Sequence, residues 1–154
     1  MKKGLIISLA VLVVFCQATF AQPSKKELDE YLKVHTLVIM KNDSIIFHNE
    51  RGIKPLIIAI NKGELKDAYI ADRTAGKAAA LLYTYGGVKK VYVQMTSKPA
   101  IKVLKANHIK YKTNKVVDNI MNRTKTGLCP MEKKVVNVEI PQQAWEILSK
   151  EVSK

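Results

Sequence analysis

The chain has 154 residues, with 26 Lys or Arg against 13 Asp or Glu, a formal net charge of +13 and 47% apolar residues. That apolar share excludes an intrinsically disordered chain, and the length suits one domain with a modest core. Two cysteines and three histidines exclude a disulfide scaffold and leave little for a cysteine-rich zinc site.

The N-terminus begins with Lys2 and Lys3, followed by an apolar run from Leu5 to Phe15 and by Thr19-Phe20-Ala21, a small-x-small cleavage pattern. This predicts a signal peptide over 1–21 and a mature single domain over 22–154. The run is shorter than the ~20 residues of a membrane-spanning helix, and no later segment approaches that length. Export to a periplasmic or extracellular space is therefore expected, ahead of an uncleaved anchor. Lipid attachment at Cys16 ranks lower, because Phe15 stands where such sites favour a small residue. Cleavage removes two cations and Cys16, which leaves Cys129 as a single thiol in an oxidising compartment.

Ser24-Lys25-Lys26-Glu27 forms a capping box and predicts a short helix through about Val34. Thr36 to Met40 and Ser44 to His48 are β-branched and apolar runs separated by Lys41-Asn42-Asp43, a hairpin pattern. Lys54-Pro55 opens a helix that Asn61-Lys62-Gly63 closes. Strand and helix then alternate. Ala68 to Ala71 reads as a strand, Thr74 to Tyr85 as a helix ended by Gly86-Gly87, and Lys90 to Met95 as a strand. Ser97-Lys98-Pro99 starts a helix to about Asn107, Ile109 to Tyr111 begins another strand, and Val117 to Met121 reads as a short helix. Gln142 to Val152 is an amphipathic helix with Trp145, Ile147 and Leu148 on its apolar side. The pattern predicts one α/β layered unit whose mostly parallel sheet gains an antiparallel edge from the hairpin.

Two segments could carry chemistry. In Ala71-Asp72-Arg73-Thr74-Ala75-Gly76-Lys77 a strand ends and a helix begins, the place where α/β sheets bind ligands and where free amides attract anions. Arg73 and Lys77 would share a helix face there. Equally, Asp72 or Thr74 could simply cap the helix while the alanines pack on the sheet. The segment lacks the glycine and Ser/Thr spacing of a phosphate-binding loop. The second segment is Asn122-Arg123-Thr124-Lys125-Thr126-Gly127-Leu128-Cys129-Pro130-Met131-Glu132. Pro130 suits the first position of a helical turn, which makes Cys129 its N-cap and Glu132 its third residue. A thiol there, near Arg123 and Lys125, gains thiolate character, the environment of a nucleophilic cysteine. A buried cysteine acting as a small apolar residue is the commoner alternative. Any histidine partner (His35, His48 or His108) would have to approach through the fold.

RGIKPL at 51–56, ADRTAGKAAALL at 71–82, YGGVKKVY at 85–92 and NRTKTGLCPME at 122–132 together resemble the bacterial family DUF1893, in order and spacing across about residues 34–152. The resemblance implies a three-layer α/β/α sandwich with a mixed sheet, of the cytidine deaminase-like kind, and no established reaction. Zinc deaminases place a His or Cys followed by x-Glu on one helix and Pro-Cys-x-x-Cys on the next. Asp72-Arg73-Thr74 and Cys129-Pro130-Met131-Glu132 stand in their place here, so neither zinc nor another cofactor is expected.

Three functions remain in order of preference. The first is an enzyme or degenerate enzyme, such as a cysteine-dependent or deaminase-like hydrolase, acting on a small anionic or nucleoside-like ligand. Asp72 and Cys129 would be its catalytic pair, with Arg73, Thr74, Lys77, Arg123, Lys125 and Glu132 binding the ligand. The second is a non-catalytic module using the same pocket, with self-association left open. Binding to nucleic acid or an anionic surface comes last. The lysines are scattered, aromatic interleaving is lacking, and export argues against it.

Overall fold

The computed structural model describes residues 21–152, so the expected signal sequence lies almost wholly outside the described residues. In chain order the elements are α1 (Lys25–Val34), β1 (Leu37–Lys41), β2 (Ser44–His48), α2 (Lys54–Asn61), β3 (Tyr69–Ala75) and α3 (Lys77–Gly86). They continue with β4 (Lys90–Ser97), α4 (Lys98–Ala106), β5 (Lys110–Val117), α5 (Pro130–Lys134) and α6 (Pro141–Val152). The five strands form one sheet in the order β2-β1-β3-β4-β5. β1 runs antiparallel to both β2 and β3, while β3, β4 and β5 are parallel. The sheet is mixed, as the hairpin pattern implies.

Alternation along β1 divides the core into two layers. Leu37 and Ile39 point into the larger cluster, with Leu56, Ala59, Leu82, Leu104 and Leu148 from α2, α3, α4 and α6. Val38 and Met40 point the other way, to Leu28 and Leu32 of α1 with Tyr69, Ala71 and Tyr92. Among the described residues, α1 therefore covers one face, and α2, α3, α4 and α6, with Met131 of α5, cover the other.

Local signals explain most element starts. Ser24 accepts from the Glu27 amide at 3.3 Å while the Glu27 carboxylate accepts from the Ser24 amide at 2.7 Å, completing the capping box. Ser97 caps α4 ahead of Pro99, and Gly87 ends α3 in the left-handed region at φ 75°.

Two boundaries differ from the sequence reading. β3 continues through Ala75, and α3 starts only at Lys77. Parallel pairing with β4 holds Thr74 opposite Met95 and Ala75 opposite Thr96, and this ladder outcompetes the helical preference of the alanine-rich run. The short helix expected over 117–121 does not form. Val117 ends β5 opposite Ser97, and Met121 bridges antiparallel to Leu128.

Candidate functional site

A cavity of about 250 Å³ opens at the carboxyl end of β3. Thr36, Arg51, Asp72, Thr74, Ile120, Cys129 and Glu132 are among its walls. It lies where the parallel ladder ends and α2, α3 and α5 begin, the usual position for a ligand in an open α/β sheet.

Asp72 is its most perturbed group. Its Oδ2 accepts from the Tyr83 hydroxyl at 2.7 Å and its Oδ1 from the Thr74 amide at 3.0 Å. The residue keeps some surface toward the cavity, but the carboxyl itself is deep in the protein. Desolvation pushes its pKa up to about 6, against the opposing pull of these hydrogen bonds and of the Arg73 charge. Tyr83, fully buried on α3, is raised well above its ordinary value by the same desolvation and by the Asp72 charge. An aspartate near 6 holds or releases a proton close to neutral pH, as a general acid or base requires.

Glu132 fills the place that an anion was expected to take. Its carboxylate accepts from the Lys77 amide at 2.8 Å and from the Ala78 amide at 2.9 Å, so it caps α3 from 54 and 55 residues away. Burial raises its pKa even so. The approach is possible because residue 76 is glycine: a Cβ there would lie 2.3 Å from Glu132 Oε1.

The other residues singled out in the sequence divide clearly. Cys129 is the N-cap of α5, makes no side-chain cap bond, is half-buried and lines the cavity. Arg73 lies on β3 rather than on a helix; it lines the cavity, while its guanidinium bonds to the end of α1. Its Nε donates to the Leu32 carbonyl at 2.5 Å and its terminal nitrogen to the Lys33 carbonyl at 2.9 Å. Lys77 donates instead to Glu139 at 2.6 Å and to the Val136 carbonyl at 2.9 Å, in a neighbouring cavity of about 380 Å³. Arg123 and Lys125 are exposed on the 122–127 turn and line neither this cavity nor its neighbour. That turn is closed by the Asn122 amide donating to the Gly127 carbonyl at 2.8 Å.

None of the three histidines lines the Asp72 cavity. His48 is buried beside Glu64, 3.1 Å away, and His35 stacks on Phe47. Among the described residues no group of three or more His, Cys, Asp or Glu is placed to hold a metal ion.

Sequence reasoning passed over Arg51 and Tyr83 as site residues. Arg51 is exposed on the cavity rim, makes no ion pair among the described residues, and precedes Gly52, whose φ of 65° turns the chain there. Tyr83 could have been suspected, because a tyrosine inside an alanine-rich helix face needs a hydrogen-bond partner in the core.

The family model "Domain of unknown function (DUF1893)" matches residues 25–152. Among solved structures, the chain is similar to a DUF1893 family protein from Thermotoga maritima, with 21% sequence identity and a TM-score of 0.73. That match covers 86% of this chain and 94% of the other. Among curated proteins, none matches the chain. With nearly all of its described residues spanned by the family model, the chain belongs to the DUF1893 family.

Proposed function

We propose that this is an exported protein with a cytidine deaminase-like fold whose Asp72 cavity binds a small anionic or nucleoside-like ligand without zinc. The observation that carries the reading is Asp72, a carboxyl raised to about 6 by desolvation inside a cavity it shares with Cys129. A strongly desolvated titratable group in a cleft is a functional-site candidate, because catalytic groups need pKa values shifted toward the working pH. The sheet order, with its parallel β3-β4-β5 run, is compatible with a deaminase-like layout.

In this reading Asp72 accepts or supplies a proton to a polar ring edge of the ligand. Arg51 meets negative charge at the rim, Cys129 offers a thiol to the same cavity, and Thr74 and Glu132 complete its lining. The zinc of a deaminase does not fit these residues: Glu132 is engaged by two amides of α3, Asp72 by Tyr83 and Thr74, and Cys129 is the one cysteine among the described residues. No step is therefore routed through a metal.

A thermal-shift screen with nucleosides, nucleotides and sugar phosphates tests binding. A ligand should stabilise the wild type and lose its effect in Asp72→Asn and Arg51→Ala. No shift with any of these classes, or a shift unchanged in both variants, refutes the reading. Cys129→Ser separates reaction from binding, because a catalytic thiol is needed for turnover but not for the shift. N-terminal sequencing of the exported protein should begin at Gln22.

A further inference from the structure

The two edges of the sheet are built differently. β5 carries Lys110, Lys112 and Lys115, and lysines on an edge strand oppose the approach of another strand. β2 reads Ser-Ile-Ile-Phe-His, with no Lys, Arg, Asp, Glu or Pro from Ser44 to His48. Next to it lies an apolar patch. Phe47 is 40% exposed and meets Tyr31 edge-to-face at 5.4 Å, and Val34, one helical turn beyond Tyr31, is 71% exposed.

The hairpin fixes which backbone groups of β2 are free. Its turn is two residues, Asn42 and Asp43, closed by the Lys41–Ser44 pair, with Ile39 opposite Ile46. Ser44, Ile46 and His48 therefore turn their amides and carbonyls to β1, whereas Ile45 and Phe47 turn theirs outward.

We propose that a second copy of this chain pairs with the β2 edge, antiparallel about a twofold axis at Ile46, so that one sheet continues through both copies. In this register Ile46 faces the second copy's Ile46, Ile45 faces Phe47 on either side of the axis, Ser44 faces His48, and Asp43 faces Asn49. The two Ile45–Phe47 pairs are the ones that exchange outward backbone bonds. They match a β-branched residue with an aromatic one, a favourable cross-strand combination. No like charges stand opposite each other over this stretch. Other registers are poorer. Pairing Ile45 with itself sets Phe47 against Asp43, and pairing Phe47 with itself sets Ile45 against Asn49. The edge is thus complementary to itself, as a closed twofold interface requires.

Charge limits where this occupant can sit. The full sequence carries a formal net charge of +13, and +11 without Lys2 and Lys3, so two copies repel each other and the uncharged strip is where that repulsion is locally least. Salt should therefore tighten the dimer rather than loosen it. The pairing also sets the second copy's Asn42-Asp43 turn beside Asn49, next to the Arg51 rim of the Asp72 cavity.

Sedimentation equilibrium of the purified protein from micromolar to millimolar concentration tests the interface. The wild type should reach a two-chain mass, at lower concentration when salt is added. Phe47→Pro removes an outward N–H and leaves the bonds to β1 in place, so it should be monomeric, as should Ile45→Lys. Cross-linking reads the register without relying on either edge variant. In a Cys129→Ser background Ile46→Cys should oxidise to a covalent dimer, because facing residues of a non-hydrogen-bonded pair lie within disulfide reach. Ser44→Cys should not. A wild type that stays monomeric throughout overturns the proposal. So does a dimer that survives both edge variants, or one that cross-links through Ser44→Cys in preference to Ile46→Cys.

Discussion

Replacing Asp72 with Asn should stabilise this protein at neutral pH while leaving it nearly unchanged in acid. In the unfolded chain Asp72 releases its proton near 3.8, whereas in the folded protein it does so at about 6. Between those values the folded state binds more protons than the unfolded state. The free energy of unfolding therefore falls as pH rises from about 4 to about 6, and the full loss is present above that window. Two pKa units correspond to about 3 kcal/mol. Because the residue keeps part of its surface toward the cavity, about 2 kcal/mol is the working figure. Asparagine removes this penalty at the cost of one weakened contact: its Oδ1 keeps the Thr74 amide and its Nδ2 can donate to the Tyr83 oxygen, but the Tyr83 O–H loses the acceptor that Asp72 supplies, which makes about 2 kcal/mol an upper bound. Urea unfolding of both proteins at a series of pH values provides the assay. The two stability curves should nearly meet in acid and separate through the window, with Asp72→Asn the more stable above it. Parallel curves, or a variant less stable at neutral pH, would refute the desolvated carboxyl. A stabilising change at a site residue is the expected sign of a position held for function.

Three further outcomes follow from the same geometry. Glu132→Ala should cost about 2 kcal/mol by uncapping α3, and Gly76→Ala should cost nearly as much because its Cβ displaces the same carboxylate. With Glu132 already replaced, Gly76→Ala should turn neutral or stabilising by about 0.5 kcal/mol, and additive losses in a thermal-denaturation cycle would disprove the contact. Tyr83→Phe removes a hydrogen bond to the charged carboxylate, so the folded pKa of Asp72 should climb above about 6 and the pH window of falling stability should extend upward. NMR titration of the Asp72 carboxyl carbon checks it. Arg73→Ala should cost about 2 kcal/mol and speed hydrogen exchange in α1, because the two carbonyls at the end of that helix lose their donor. Unchanged exchange together with lost ligand binding would assign the Arg73 charge to the ligand rather than to α1.

How far the sequence could be read depended on the span of each interaction. The α1 capping box, the β1–β2 hairpin, the Pro-initiated α2 and α4 and the glycine stop of α3 are each set by residues within one turn of one another, and all form where their residues stand. The family motifs placed Asp72 and Cys129 in two separate blocks, and both line one cavity. Where pairing reaches across the chain, local preference misled: the 117–121 helix is lost to the end of β5 and the Met121–Leu128 bridge.

By itself, then, the sequence determined the α/β class, the mixed sheet, the family and two of the segments that line the cavity. Only the tertiary structure decided which charges face that cavity. Arg73 finds its acceptors 40 and 41 residues back in α1, Lys77 finds Glu139, and Glu132 crosses 55 residues to occupy the amides left free at the start of α3. A charged side chain in a partly buried place must be satisfied by whatever polar group the fold brings near it, and sequence spacing carries no record of that partner.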